Sequence, residues 1–317
     1  MIISASRRTD IPAFYSEWFF NRLSEGFVLV RNPMNPHQIS KVSLSRDVVD
    51  GIVFWTKNPA PMLPRLQELA EYPYYFQFTL NSYRTDVEAH VPSKNDALIR
   101  AFQTLSDRIG AHRVIWRYDP ILINRNYTAE YHIRQFEALA KHLSGYTELC
   151  SVSFVDHYKK TLRNAKGLNL TDIATTQKRE IVKSLAQIAS AHGLSIKCCA
   201  EDADFSAFGV QDGSCIDASL LAQIGGIPLA VRKDKNQRTK CGCMESIDIG
   251  AYNTCLHGCR YCYANFSSET VKRNVAQYDP HAAMLCSSVG EDDRVTVRKV
   301  HSCKICQIGL LDGNRSC

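Results

Sequence analysis

The chain has 317 residues and 45% hydrophobic residues, which suits one large α/β barrel, or one domain with a small appendage, built around a real core. Its formal net charge of +6 is too mild to require a phosphate-bearing partner. The apolar residues at the N-terminus give way to polar and charged ones within residues 1–8, so no signal peptide is expected. No apolar run is long enough to span a bilayer. Thirteen cysteines in a chain expected in a reducing cytoplasm favour metal ligation over disulfides.

Short apolar strands alternate with amphipathic helices along the sequence. The predicted strands are residues 1–6, 51–55, 74–80, 113–118, 149–155, 195–199 and 245–250. The helices predicted between and after them are residues 14–25, 62–70, 93–110, 128–143, 175–192 and 264–276, and a β-hairpin is predicted at 27–31 and 41–45. This alternation predicts a parallel βα barrel of the TIM type over residues 1–277, followed by a C-terminal tail over residues 278–317.

Polar residues follow the predicted strands where each strand ends. They are residues 6–10, 56–58, 81–83, 117–119, 156–157 and 201–202. Any one of these residues could belong to a surface loop or to a structural ion pair. In a βα barrel, however, the carboxyl ends of the strands share one rim, which is where the chemistry takes place. Six polar strand ends on one rim therefore indicate a functional site.

A cysteine-rich loop follows the seventh predicted strand. Cys255, Cys259 and Cys262 stand in a Cys-x3-Cys-x2-Cys arrangement. Three thiolates on one short loop can hold three irons of a 4Fe–4S cluster and leave the fourth iron open for a small molecule. Zinc is the alternative, but zinc sites usually combine two separate short ligand motifs, such as two Cys-x2-Cys pairs. A single short segment with three unequally spaced cysteines favours the iron–sulfur cluster.

This spacing, with Tyr261 directly before the third cysteine, resembles the signature of the radical S-adenosylmethionine (SAM) superfamily. The resemblance implies that Cys255, Cys259 and Cys262 bind the cluster and that the open iron chelates the amino and carboxylate groups of SAM. It also implies that the reduced cluster cleaves SAM to a 5′-deoxyadenosyl radical. Tyr261 would pack against the cluster or against the adenine of SAM.

The order of the motifs is unusual for that superfamily, because most of its members carry the cysteine loop after the first strand. Residues 9–12, 54–59 and 117–120 follow the order of spore-photoproduct-lyase-like radical SAM proteins once the C-terminal strand and the cysteine loop are moved to the front. A circularly permuted radical-SAM-like barrel is therefore expected, with the cluster loop near the C-terminus, since the ends of a barrel can lie close in space.

The resemblance also suggests which residues contact SAM, although the Gly-Gly-Glu-like stretch that normally holds its amino group is not in this chain. In the permuted order that place falls to the end of the first strand. Thr9 and Asp10 are then candidates for the amino group, and Arg7 or Arg8 for the carboxylate. The candidates for contacts to the ribose, the SAM carboxylate or the substrate are Lys57, Arg117 and Asp119.

The chain from residue 1 to residue 280 also resembles a bacterial family named domain of unknown function 1848. The matching stretches are residues 3–12, 199–201, 215–217 and 241–265. This family resemblance implies no particular activity.

A second set of cysteines precedes the cluster loop, namely Cys199, Cys215, Cys241 and Cys243. Four thiolates near the rim could ligate a second 4Fe–4S cluster or a structural zinc ion. Scattered free cysteines are the remaining alternative, since buried free cysteine is common. Cys198 is expected to point the other way, into the packing, because side chains alternate along a strand. Cys303 and Cys306 in the tail form a Cys-x2-Cys pair, which alone is a weak signal, so their role stays open.

Three functions remain open at this point. The first is a radical SAM enzyme of unknown substrate that needs a low-potential electron donor. A nucleic-acid base is a candidate substrate by analogy with the lyase-like proteins alone. The candidate stacking residues are Tyr15, Trp18, Trp55, Tyr83 and Tyr118, although most of these aromatics are expected to be core or helix packing residues. The second is a non-catalytic iron–sulfur electron carrier or redox sensor, and the third is a zinc-stabilised binding module. None of the three involves a membrane, and all suit the cytoplasm.

Overall fold

The computed structural model describes residues 1–156, 159–305, 307–308 and 315–316. Its strands in chain order are β1 (Ile2–Ala5), β2 (Phe27–Arg31), β3 (Gln38–Ser43), β4 (Gly51–Thr56), β5 (Tyr74–Thr79), β6 (Val114–Ile121), β7 (Leu149–Phe154), β8 (Ser195–Cys198), β9 (Gln211–Asp212), β10 (Ile247–Asp248), β11 (Arg294–Val297), β12 (Gln307–Ile308) and β13 (Arg315–Ser316). Its α-helices are α1 (Ile11–Phe14), α2 (Ser16–Glu25), α3 (Ile99–Ile109), α4 (Ala129–Leu143), α5 (Lys159–Asn164), α6 (Thr175–Ala191), α7 (Ala218–Gly225) and α8 (Ser268–Val275).

The central feature is an eight-stranded sheet with the strand order β10-β1-β4-β5-β6-β7-β8-β9. Every neighbouring pair in this sheet is parallel. This confirms the predicted α/β class and the parallel sheet. Because the strands are parallel, all of their carboxyl ends lie on the same edge, where the polar residues were predicted to meet. The strands β10 and β9 stand at the two ends of the order.

The two faces of the sheet pack against different partners, because side chains alternate along a strand. The large core cluster contains Ile3, Phe54, Phe76 and Trp116, together with residues of α2, α3, α4 and α6. The opposite face carries a smaller cluster formed by Ile2, Val53, Tyr75, Ile115, Ile216, Leu221 of α7, Cys199, Cys215, Cys241 and Cys243. The second cysteine set therefore lies on the face of the sheet away from the main helices.

Helix ends follow from local sequence signals. Asp10 caps α1 through its side chain, Thr128 caps α4 and Asp217 caps α7. The α2 helix ends at Gly26, whose φ of 76° suits a residue without a side chain. The helix predicted at 62–70 is a 3-10 helix over Leu63–Leu69, with a proline in its first turn. The strand predicted at 245–250 is shortened to the two residues of β10. The helix predicted at 264–276 begins only at Ser268.

The described part of the tail packs against the rest of the chain. The β11 strand pairs in parallel with β3, and Leu285 lies in the main core. Trp18 donates from Nε1 to the carbonyl of Ala282 at 2.8 Å. The carboxylate of Asp50 accepts hydrogen bonds from Ser302 Oγ and from the Cys303 N–H, both at 2.6 Å. Cys306 of the tail pair lies outside the described residues, as does His157 at the end of β7.

No helix within the described ranges has the length and apolar character needed to cross a membrane.

Candidate functional site

The cysteine loop follows β10 and is held against residues 84–91, which follow β5. Glu88 and Cys259 form an isolated antiparallel bridge. The His90 N–H donates to the His257 carbonyl at 3.0 Å, and the Arg260 N–H donates to the Val87 carbonyl at 2.9 Å. A side chain at Gly258, whose φ is +66°, would place its Cβ 3.0 Å from His90 Cδ2. The glycine before the second cysteine thus permits both the turn and the close approach.

The three thiols of this loop lie near one another. Cys255 interacts electrostatically with Cys262 and Cys259, and Cys259 interacts with Cys262. Burial raises the pKa of Cys259 to about 12, although the Lys57 ammonium beside it opposes this rise. Burial also raises the pKa of Cys262, whose sulfur accepts the Ala264 N–H at 3.3 Å. A cation next to these sulfurs favours their thiolate form, which is the form that binds metal.

Next to the cysteine loop, Glu88 forms a buried ion triad with Lys57 and Lys94. Glu88 has no exposed side-chain surface, and its carboxylate lies 2.7 Å from Lys57 Nζ and 2.7 Å from Lys94 Nζ. Burial alone would raise the pKa of Glu88, but the two lysines hold it down at about 2. The Tyr261 hydroxyl donates to the same carboxylate, and Lys57 Nζ lies 5.4 Å from the centre of the Tyr261 ring. Tyr261 and Lys57, both predicted, therefore belong to one network with the cysteine loop.

Sequence reasoning missed Glu88 and Lys94. Glu88 lies in a short segment outside the predicted strands, and its importance comes from contacts with β4 and with the cysteine loop. The one available signal in the sequence was that the carboxylate of Glu88 stands directly between two apolar residues, Val87 and Ala89. Such a carboxylate is almost never fully buried unless it is paired.

Asp10 connects the ends of β1 and β4 to the cysteine loop. Its Oδ1 accepts the Ala13 N–H at 3.0 Å. Its Oδ2 accepts the Lys57 N–H at 2.6 Å and lies 2.8 Å from His257 Nε2. Both carboxylate oxygens of Asp10 are thus engaged with protein groups. The neighbouring Thr9 is different, because its Oγ1 is buried without a hydrogen-bond partner.

Arg7 and Arg8 leave the end of β1 in different directions. Arg8 lies over the Tyr252 ring, with its Nε 3.8 Å from Asp248. Arg7 lies 5.2 Å from the centre of the Trp55 ring, and its Nη2 is buried without a partner. Burial works against its charge, but Cys243, Cys215, Tyr263 of the cysteine loop and Asp248 raise the pKa of Arg7. Arg7 therefore lies between the two cysteine sets.

Arg117 and Asp119 form a second buried ion pair at the end of β6. The Arg117 guanidinium donates to Asp119 Oδ2, and Ser153 of β7 donates to Asp119 Oδ1. Arg117 also donates from Nη1 to Cys215 Sγ at 2.8 Å and lies 5.0 Å from the centre of the Trp55 ring. Burial opposes the charge of Arg117, yet Asp119 and Cys215 raise its pKa. These two residues thus adjoin the second cysteine set.

The four cysteines of the second set are close together and buried. The sulfurs of Cys199 and Cys215 are 3.3 Å apart, and the Cys215 N–H donates to Cys243 Sγ at 3.3 Å. Cys241 interacts with Cys199, Cys243 and Cys215 of the same set. Cys198 belongs instead to the main core, as alternation along β8 predicted.

Several polar atoms at this edge of the sheet are buried without a hydrogen-bond partner. Within the described residues they include Arg7 Nη2, Thr9 Oγ1, Trp55 Nε1, Asn81 Oδ1, His257 Nδ1 and Asn265 Oδ1. Buried polar groups are almost always paired with protein or with ordered water. Their gathering at the ends of β1, β4 and β5 and on the cysteine loop indicates a site for a polar group.

The donor atoms suit an iron–sulfur cluster, although no three His, Cys, Asp or Glu side chains of the described ranges are already arranged as a metal site. The cysteine loop offers three thiols of one kind, and its neighbours Lys57 and Lys94 carry one more positive charge than Glu88 offsets. A cluster with three thiolates is anionic, so the Lys57 ammonium beside Cys259 and Cys262 matches it, while the Asp10 carboxylate lies beside Cys255. Cys255, Cys259 and Cys262 are the residues that could hold it.

A charged cleft of about 510 Å³ opens at the ends of β7 and β8. Its lining includes Asp156 and Glu201, which were predicted as strand-end residues. Both are paired, Asp156 with Arg238 at 2.6 Å and Glu201 with Lys178 at 2.8 Å. The cleft thus offers a polar, solvent-open surface on the same edge as the cysteines.

The candidate base-stacking residues are mostly packed away from solvent. Tyr15, Trp18, Tyr83 and Tyr118 each expose 2% of their surface or less. Trp55 alone among the five is partly exposed, and two guanidinium groups lie over it. As placed, the four buried rings are core residues rather than a surface for nucleic acid.

The comparisons with known proteins add little about chemistry. No curated protein matches the sequence. One similar solved structure is from Bacteroides thetaiotaomicron VPI-5482 and is described as "a putative alpha-L-fucosidase". It is 12% identical, with 58% of this chain and 75% of that chain covered and a TM-score of 0.27. At that TM-score the likeness supports no conclusion about fold or function.

A family model agrees with the resemblance found in the sequence. The family described as "Domain of unknown function (DUF1848)" matches residues 2–264. This range contains the eight strands of the central sheet, both cysteine sets and every predicted cofactor-binding residue. The chain therefore belongs to the DUF1848 family.

Proposed function

We propose that this protein is a radical SAM enzyme whose three-cysteine loop holds a 4Fe–4S cluster through Cys255, Cys259 and Cys262. The observation that carries the proposal is the gathering of these three thiols at the carboxyl edge of a parallel sheet, with the Lys57 ammonium beside Cys259 and Cys262. When bound and reduced, such a cluster supplies one electron for the cleavage of SAM, which yields a 5′-deoxyadenosyl radical able to take a hydrogen atom from a substrate.

The strand order supports a circularly permuted barrel. The β10 strand precedes the cysteine loop in the chain, yet in the sheet it lies beside β1 and runs parallel to it. From β10 onward the order is β10-β1-β4-β5-β6-β7-β8-β9. The strand that leads into the loop thus takes the first position in space although it comes late in the sequence. This is the arrangement expected when the first unit of a barrel is moved to the C-terminus.

The residues around the loop have distinct parts in the proposal. Lys57 offsets the negative charge of a bound cluster, and Glu88 fixes the position of the Lys57 ammonium through a buried ion pair. Tyr261 is anchored to Glu88 through its hydroxyl. Asp10 holds the Lys57 backbone and His257, so it positions the loop and does not offer a free oxygen.

SAM binding is assigned to the unpaired groups near the loop. Arg7 Nη2 is a buried cationic donor without a partner and suits the carboxylate of SAM. Thr9 Oγ1 and Asn81 Oδ1 are buried acceptors without partners and suit its amino group or ribose. Arg117 and Asp119 are engaged with each other beside the second cysteine set, so we place them toward the substrate.

A low-potential electron donor would approach from the solvent side of the loop. Leu256, Tyr263 and Phe266 are exposed by 36%, 44% and 42%, and all three lie within or just after the cysteine loop. Exposed large apolar side chains in one short segment are typical of protein contact surfaces. The position matches the need to bring a reductant close to the cluster.

The proposal is tested by SAM binding and product formation in anaerobically reconstituted protein. Equilibrium dialysis with labelled SAM is expected to show one SAM bound per chain that carries a cluster. Mass spectrometry is expected to detect 5′-deoxyadenosine only when dithionite is added. Bound cluster without any bound SAM would contradict the enzyme and favour an electron carrier or sensor.

A further inference from the structure

We propose that the second cysteine set binds one zinc ion through Cys199, Cys215, Cys241 and Cys243, and that this ion joins the two ends of the central sheet. The site is separate from the cluster loop and does not depend on the proposed SAM chemistry.

The spacing of the sulfurs matches one ion better than a four-iron cluster. Zn–S bonds of about 2.3 Å in a tetrahedron put neighbouring sulfurs about 3.8 Å apart. The Cys199 and Cys215 sulfurs are 3.3 Å apart, the Cys215 N–H donates to Cys243 Sγ at 3.3 Å, and Cys241 interacts with Cys199 and Cys243. A cluster places each thiolate on a different iron, which spreads the sulfurs much further. A shift of a few tenths of an ångström therefore accommodates an ion, whereas a cluster needs the site to open.

The charges beside the set favour thiolates. Arg117 is buried and donates directly to Cys215 Sγ at 2.8 Å. Arg7 interacts electrostatically with Cys243 and Cys215, and its Nη2 has no hydrogen-bond partner. Of the two guanidinium groups, that of Arg117 donates to Asp119, whereas Arg7 reaches the nearby Asp248 carboxylate through its backbone N–H, so neutral thiols would leave the Arg7 guanidinium poorly compensated. A zinc ion with four thiolates carries a net charge of about −2 and would offset both.

Two glycines allow the cysteine segments to approach. A Cβ on Gly213 would lie 3.0 Å from the Cys198 carbonyl oxygen. A Cβ on Gly242 would lie 3.0 Å from the Gly213 carbonyl oxygen. Both contacts involve backbone, which gives way less easily than the end of a side chain. The Cys241-Gly242-Cys243 hook can therefore rest directly on the segment that carries Cys215.

The four ligands come from the two ends of the sheet. Cys199 follows β8, Cys215 follows β9, and the Cys241–Cys243 hook precedes β10. The β9 and β10 strands stand at opposite ends of the strand order. The Met244 N–H also donates to the Ile216 carbonyl at 3.1 Å, which brings the two segments together. One ion bound to all four sulfurs would hold these ends in place, and full coordination by buried thiolates is typical of structural zinc.

The test is a metal analysis of four proteins purified under the same anaerobic conditions. Wild type is expected to contain about one zinc per chain, and Cys199→Ala to lose it. Cys198→Ala is the matched control, because this neighbouring cysteine faces the main core and should leave zinc unchanged. Cys259→Ala should also keep zinc, which separates this site from the cluster loop. If Cys199→Ala does not accumulate in folded form, Cys241→Ala replaces it.

Cobalt provides the second measurement. Metal-free wild type titrated with Co²⁺ is expected to show thiolate-to-cobalt absorption and the strong visible bands of a tetrahedral site, saturating at about one Co²⁺ per chain. Cys199→Ala should lack these bands, and Cys198→Ala should show them. Zinc content that is unaffected by Cys199→Ala, or iron that is lost from this variant in place of zinc, would overturn the proposal.

Discussion

Replacing Cys259 with alanine is expected to reduce the iron of anaerobically reconstituted protein from about four atoms per chain to less than about one. Cys259 is the middle cysteine of the loop, and its thiol interacts with Cys262, Lys57 and Tyr261. Two thiolates on one short loop cannot hold three irons of a cluster, so its loss should be nearly complete rather than partial. Iron and sulfide analysis, together with the visible absorption of the reconstituted protein, measures the result.

The control for this prediction is Cys150→Ala. Cys150 is a buried cysteine of β7 in the main core and takes no part in either cysteine set. Its replacement removes one thiol and a little packing, so iron content should stay at the wild-type level. Far-UV circular dichroism of both variants establishes that they are folded. Wild-type iron in a folded Cys259→Ala protein would exclude this cysteine as a cluster ligand.

The Glu88→Gln substitution is expected to destabilise the fold by about 3–5 kcal/mol. Glu88 is the one carboxylate between Lys57 and Lys94, and all three side chains are largely or fully buried. Glutamine keeps the shape but leaves two buried ammonium groups without a counter-charge. Tyr261 would also lose its carboxylate acceptor, so the cysteine loop should become less firmly held. Urea unfolding followed by circular dichroism gives the change in the free energy of unfolding.

Glu68→Gln is the matched control for that measurement. Glu68 pairs with Arg65 three residues earlier, and both side chains are more than one-third exposed. Exposed ion pairs contribute less than about 1 kcal/mol because water and salt screen them. The same chemical change should therefore cost much less at this position. Equal losses of stability in the two variants would mean that Glu88 does not act through a buried ion pair.

Much of the fold follows from local sequence signals. The strands of the sheet read as short apolar runs, and helices such as α2, α4 and α6 lie within a few residues of the predicted ranges. The exceptions are short or irregular. The two-residue β9 was missed and β10 is shorter than predicted, because such strands have too few residues for a periodic pattern and depend on their neighbours in the sheet.

The candidate site could be predicted only in part. The cysteine loop stands out by its spacing, and Lys57 and Tyr261 were found through their motifs. Glu88 was missed because its role depends on pairing with residues far away in the sequence. Asp10 was predicted as a candidate for the SAM amino group, and the structure adds that its side chain caps α1. The sequence contains a signal for that cap, since Asp10 stands shortly before Pro12 at the start of a helix.

The proposed cluster with an open iron is tested most directly by electron paramagnetic resonance. Anaerobically reconstituted protein is reduced with dithionite, and its spectrum is recorded with and without SAM. We predict the signal of a reduced 4Fe–4S cluster whose g-values shift when SAM is added, because SAM binds the iron that lacks a cysteine ligand. A cluster signal that does not respond to SAM, or the lack of any cluster signal after reconstitution, would contradict the proposed function.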